Sequence, residues 1–130
     1  MLAEARAAQG GGAREFASLR RSLSWAREGR DPEVVRIYLR SLVTIAKHIG
    51  DDKRAIRYLE RLVSSTHSVA ALDAASNEAE ELGNIIVAAR FAQRALSLAR
   101  RRPADVADVG RLEKKYLALK RQAVAPRGRR

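Results

Sequence analysis

The sequence predicts an all-α protein, an array of antiparallel helical hairpins, and three observations carry that expectation. Apolar residues recur at spacings of three and four, as in Leu39-x-x-Leu42-Val43-x-x-Ala46 and Ala55-x-x-x-Leu59-x-x-Leu62, which places them on one side of a helix. The break between those two stretches, Gly50-Asp51, returns thirty-three residues later as Gly83-Asn84, after Leu72-x-x-Ala75-Ser76 and before Ala88-x-x-x-Ala92-x-x-Ala95. A period near 34 with such a break is the mark of stacked helix pairs. Aromatic residues are scarce, one Trp, three Tyr and two Phe in 130 residues. The core must then be built from Leu, Ile, Val and Ala, which suits closely packed helices.

The elements follow in order. Gly10-Gly11-Gly12 cannot sit cheaply inside a helix, so residues 1–12 read as a flexible segment. A first helix is expected over 13–28, with Phe16, Leu19, Leu23 and Ala26 on one stripe and Trp25 sealing its edge. Asp31-Pro32-Glu33 is a start signal: an N-cap acid, proline in the first turn, then an acid at the positive end of the dipole. The helix it opens carries Val35, Tyr38, Leu39, Leu42, Ile45, Ala46 and Ile49 inward, while Val34 and Ile37 widen the arc. It should touch neighbours on two sides and lie at the centre of the core. Gly50 stops it.

Asp51 caps a third helix over 52–65, with Ala55, Ile56, Leu59, Leu62 and Val63 inward. Ser64 to Ser68 reads as a turn, and an Ala-rich fourth helix with Leu72 and Leu82 occupies 69–82. Gly83-Asn84 repeats the stop and cap. The fifth helix, over 85–101, buries Ile85, Ala88, Phe91 or Ala92, Ala95 and Leu98. Pro103 opens a sixth that reaches Val124, with Val106, Val109, Leu112, Tyr116, Leu119 and Ala123 as its stripe. Residues 13–124 are thus expected to form a single helical-repeat domain, followed by a basic tail over 125–130.

Composition bounds the function. Cysteine is absent, which removes disulfides, a thiolate nucleophile and Cys-type zinc sites and fits a reducing compartment. No apolar run approaches the ~20 residues of a membrane-spanning helix, so no membrane role is expected. The first nine residues lack the apolar stretch of a secretory signal, and although they are rich in Ala and Arg, Glu4 counts against an organelle address. The cytoplasm is the expected location, an organelle matrix the alternative. The net charge of +11 is unevenly spread: residues 31–99 hold nine basic and nine acidic side chains, residues 100–130 eleven basic against three acidic. A field concentrated at one end favours a polyanion or an acidic protein surface as neighbour.

The residues over 36–120 resemble the tetratricopeptide repeat family, whose unit is an antiparallel helix pair. Leu39, Leu42 and Ala46 fall where the family's first helix places its large, Leu-type and aromatic positions, Gly50-Asp51 on its turn, and Ala55, Leu59 and Leu62 on the packing face of its second. Ala88, Ala92 and Ala95 match the second copy, Pro103 lies near the family's terminal proline, and Gly110 takes its small-residue position in an unpaired last helix. The chain departs from the family at Ala46 and Ala79, where aromatics are usual, and at Val43 and Ser76, where Gly or Ala is usual.

The resemblance implies a shallow inner groove lined by the outward residues of each first helix. Position by position these are Ile37, Arg40, Thr44 and Lys47, then Ala70, Asp73, Asn77 and Glu80, then Ala104, Ala107, Arg111 and Lys114. Such a groove would hold an extended or helical peptide, with Arg40, Asn77 and Arg111 hydrogen-bonding carboxylate or peptide groups. Polar stripes are also what any solvated amphipathic helix shows.

A second candidate is the basic set Arg100, Arg101, Arg102, Lys115, Lys120, Arg121, Arg127, Arg129 and Arg130. Lysine and arginine neutralise phosphates and make binding steeply salt-dependent. With only Tyr116 as a nearby aromatic, any RNA contact is expected to be to backbone or shape rather than to base sequence. A solubility tail has the same composition.

Catalytic readings fail on inventory. His48 and His67 are the only imidazoles and lack a second His or Cys at ligand spacing. Ser65, Ser68, His67 and Asp73 could be drawn as a triad, but a serine-rich turn has that composition by chance. Gly10-Gly11-Gly12 lacks the Lys-Ser/Thr of a phosphate loop. The sequence therefore reads as a non-catalytic adaptor, scaffold or chaperone-like subunit that needs no cofactor and holds a protein partner. The alternative is a structural subunit of a ribonucleoprotein or other large complex, with its basic end on RNA or an acidic surface. A homo-oligomer follows as a third reading from the exposed end of an uncapped array.

Overall fold

The computed structural model describes residues 13–29, 31–64, 66–102 and 106–124. Among them are six helices and no strand: α1 (Ala13–Glu28), α2 (Pro32–His48), α3 (Asp52–Val63), α4 (Val69–Glu81), α5 (Ile85–Arg100) and α6 (Val106–Val124). The all-α class and the order of elements agree with the sequence reading. Helix ends move by a residue or two, as at Val63, where Ser64 turns back to bond the Arg61 carbonyl through both its amide and its hydroxyl. The expected start of the last helix at Pro103, the segment 1–12 and the tail 125–130 lie outside the described residues.

The connections show why the chain stops and restarts where it does. Asp31 Oδ1 accepts the amides of Glu33 at 3.1 Å and Val34 at 3.4 Å, so two orphan donors of the α2 N-terminus are satisfied. At the other end of α2, Gly50 adopts φ +77°, which an L side chain resists. Its amide bonds the Lys47 carbonyl at 3.2 Å, and the Asp51 amide reaches the Ala46 carbonyl at 2.9 Å. This pair of bonds is the Schellman closure of a helix C-terminus.

Asp51 then turns round to cap α3, its Oδ1 accepting the Arg54 amide at 3.1 Å. The same device recurs thirty-three residues later. Gly83 has φ +80°, the Gly83 and Asn84 amides bond the Glu80 and Ala79 carbonyls, each at 2.9 Å, and Asn84 Oδ1 accepts the Val87 amide at 3.1 Å. One residue closes the helix before it and caps the helix after it, at both places.

The helices divide into two compact units, α1–α3 and α4–α6, with the boundary between Ser65 and Thr66. In the first unit α2 packs against both α1 and α3, as its wide apolar arc requires. It buries Leu39, Leu42, Val43, Ile45 and Ala46, and with them the hydroxyl-bearing Ser41. α1 contributes Phe16, Leu19 and Leu23. The Phe16 ring lies 6.2 Å from that of Tyr58 on α3, and the Arg54 guanidinium sits 5.3 Å from its centroid, so an aromatic contact and a cation–π contact tie α1 to α3.

In the second unit α5 takes the central place, packing against α4 and α6. It presents mainly small side chains, burying Ala88, Ala89, Ala92, Ala95 and Ala99 beside Val87, Phe91 and Leu96. The approach to α4 is close enough for the buried Ser76 hydroxyl to donate to the Ala88 carbonyl at 2.8 Å. α6 adds Leu112 and Leu119.

Some positions expected inside are not. Trp25 is 74% exposed rather than sealing the α1 stripe. At 3.6 residues per turn it lies about 180° around the helix from Phe16, so its side chain has no core to reach. Ile37, taken to widen the arc of α2, is exposed for the same reason relative to Leu39 and Leu42. Ile49 is exposed because it is the C-cap, already past the last turn. Leu62, Leu82, Ile85 and Leu98 are half-buried, at the edges of their stripes.

Candidate partner-binding faces

α4 and α6 place their outward residues side by side in the second unit. Asp73 and Asn77 lie one turn apart on α4, and Arg111 and Lys115 one turn apart on α6, so each pair shares a face. Arg111 donates to Asp73 Oδ2 at 3.0 Å and to Asp108 Oδ1 at 3.4 Å. Lys115 Nζ donates to Asp73 Oδ1, to the Asp73 carbonyl at 3.2 Å and to Asn77 Oδ1 at 2.7 Å. The result is a network in which one carboxylate is shared by two cations.

Its electrostatics follow from that sharing. Partial burial alone would raise the Asp73 carboxyl, but the hydrogen bonds and positive charges of Lys115 and Arg111 outweigh it and hold the group below its ordinary value of 3.8. Arg111 is pushed up by its hydrogen bond to Asp73 and by the charge behind it. Because Asn77 Oδ1 is taken by Lys115, the Asn77 amide nitrogen remains as an exposed pair of donors. Around the network Glu80 and Lys114 are exposed. The face therefore offers amide and guanidinium donors fixed by neighbours, a carboxylate already occupied and charges of both signs at its rim.

Three residues of the sequence-derived groove set, Asp73, Asn77 and Arg111, are thus brought together. Lys115, grouped from sequence with the polyanion-binding cations, joins them on the side of α6 that meets α4. Ala70 is exposed on α4, Ala104 lies outside the described residues, and nothing is described of the Ala107 side chain. In the first unit Ile37, Arg40 and Lys47 are exposed along α2, and the Thr44 hydroxyl donates to the Arg40 carbonyl at 3.1 Å. Sequence reasoning missed the role of Lys115 and Asp108. The four-residue step from Arg111 to Lys115 could have shown that they share a face, whereas the 38 residues between Asp73 and Arg111 gave no local signal.

The remaining members of the basic set are dispersed. Arg100 meets Glu113 at 3.5 Å, Arg101 and Arg102 are exposed where α5 ends, and Arg121 is exposed on α6. The Lys120 ammonium lies 5.9 Å from the Tyr116 ring. Arg127, Arg129 and Arg130 lie outside the described residues. Among those that are described, no group of His, Cys, Asp and Glu could hold a metal ion, and no helix is long and apolar enough to cross a membrane.

Comparison with known proteins adds no relative: no protein-family model, no curated protein and no solved structure matches the chain.

Proposed function

We propose that this chain is a non-catalytic protein-binding module built from tetratricopeptide-like helical hairpins, acting as an adaptor, scaffold or chaperone-like subunit. The observation that carries the reading is the repeated connection. Gly50-Asp51 and Gly83-Asn84 close and restart helices with the same dihedral sign, the same two backbone bonds and the same side-chain cap. α2–α3 and α4–α5 are then two copies of one hairpin, and α6 packs on α5 as an unpaired first helix would. In that arrangement α4 and α6 are neighbouring first helices, and their shared face is the groove. The pairing of Asp73 with Arg111 and Lys115 is consistent with it, because those side chains meet only when α4 and α6 lie side by side. The ligand is a peptide segment whose backbone groups meet the Asn77 amide and whose acidic groups meet Arg111 and Lys114.

A second reading has its own support in the charge distribution. Residues 100–130 carry the whole surplus beyond the first thirty, and a subunit lying on RNA through α6 would use Lys114, Lys120 and Arg121.

Affinity capture with the full chain, at low and high salt and with and without nuclease, separates the two. The adaptor reading expects a partner that survives high salt and nuclease, is lost with Asn77→Ala combined with Lys114→Glu, and is retained by Lys120→Ala combined with Arg121→Ala. Recovery that disappears with salt or nuclease, and with the Lys120 and Arg121 changes, assigns the function to the basic end instead.

A further inference from the structure

Apart from the α4–α6 ion-pair face, the second unit holds a cleft of about 300 Å³ between the start of α4 and one side of α5. Gln93, Arg94 and Ser97 line it from α5, at the three- and four-residue steps that put them on one face, and Arg101 from the C-cap that follows. Thr66 and His67 enter from the segment that precedes α4, and Leu72 and Leu98 supply an apolar wall. Every polar side chain in this wall can donate a hydrogen bond, and no carboxylate lines the cleft. In the same unit three cations are matched, Arg111 and Lys115 by Asp73 and Arg100 by Glu113. Arg94 and Arg101 have no ion pair among the described residues, and Arg94 is half-buried. Two arginines, a histidine, a glutamine, a serine and a threonine thus line one concave space, and no acidic residue is among them.

From this we infer that the cleft binds a small organic anion, a phosphate or carboxylate group carried on an apolar body. A guanidinium fork matches either oxyanion with two parallel bonds. Leu72 and Leu98 would cover the body of the ligand, and ~300 Å³ is the lower end of the range for small-molecule sites, enough for a single-ring compound. This site is independent of the groove on α4 and α6 and stands whether or not that groove binds a peptide.

The test is a titration of the isotope-labelled full chain, followed by amide chemical shifts at constant ionic strength. The probes are phenyl phosphate, phenylacetate and inorganic phosphate, with chloride as the control. Saturable shifts confined to residues 66–72 and 93–101, with at least one organic anion bound more tightly than inorganic phosphate, are the expected result. The order of phenyl phosphate and phenylacetate tells which oxyanion is preferred. Arg94→Gln with Arg101→Gln should weaken binding by about tenfold or more, with an unchanged melting temperature. The single change Arg101→Gln, at an exposed side chain, should weaken it less and serves if the pair disturbs folding. Asn77→Ala should leave it unaltered. Shifts that fail to saturate, that spread equally to Lys114, Lys120 and Arg121, that favour inorganic phosphate, or that persist in the arginine variants overturn the inference.

Discussion

Asp73 shows how one side chain sets the chemistry around it. It is a half-buried carboxylate with two cationic donors, and its removal leaves the Lys115 ammonium, whose side chain is only 17% exposed, without a counter-charge. A double-mutant cycle on Asp73→Ala and Lys115→Ala should return a coupling of about 1 kcal/mol, at the upper end of the range for exposed pairs. Because the folded carboxyl is depressed, its contribution is fully present above the unfolded value near 3.8 and is lost as pH falls through the lower folded value. The stability difference between the wild type and Asp73→Asn should therefore be constant from neutral pH to about pH 5 and shrink in stronger acid. A difference that did not depend on acid would mean that the carboxylate is not held by these cations.

Among helices, the question is what fixes their ends and faces. Gly50 and Gly83 have open space where a Cβ would stand, so Gly→Ala at either meets no neighbour and tests backbone strain alone. Each change should cost about 1 kcal/mol in denaturant titrations, and the two should add, since they belong to separate units. At the centre of α2, Leu42 is fully buried. Leu42→Asp would place an unpaired carboxylate there, a penalty of several kcal/mol, and should abolish cooperative melting of the first unit.

These elements were legible because their signals are local: Asp31-Pro32, Gly50-Asp51 and Gly83-Asn84 sit at the boundaries they predict. Faces were legible where spacing is regular, as for Leu39, Leu42 and Ala46. They were misread at Trp25 and Ile37, where hydrophobicity was allowed to outweigh angular position. Tyr58 and Ser41, both buried, were passed over for the opposite reason, their polar atoms. The Asp73–Arg111–Lys115 network could not be read in full, since its partners are joined only by packing that brings α4 to α6.

For the whole chain, charge is the property that extends beyond any single element. With a neutral middle and eight surplus positive charges over residues 100–130, binding to any polyanion should weaken linearly in log–log fashion with salt. Lys120→Ala with Arg121→Ala should reduce that slope by roughly 2 and leave the thermal melt as it is, because both side chains are exposed. An unaltered slope would place the contact elsewhere.

The alanine face of α5 bears on how this protein can drift. Ala88, Ala92, Ala95 and Ala99 are completely buried, so there is almost nothing to trim from them and little room to grow. In α2, where Leu42 and Ile45 fill the core, harm comes from losing methylenes; in α5 it comes from gaining them. Every alanine codon becomes a valine codon by a single base transition, the commonest class of point change. The helix at the middle of the second unit is therefore exposed to frequent small enlargements, and a saturation scan should find its fitness losses there among gains of volume.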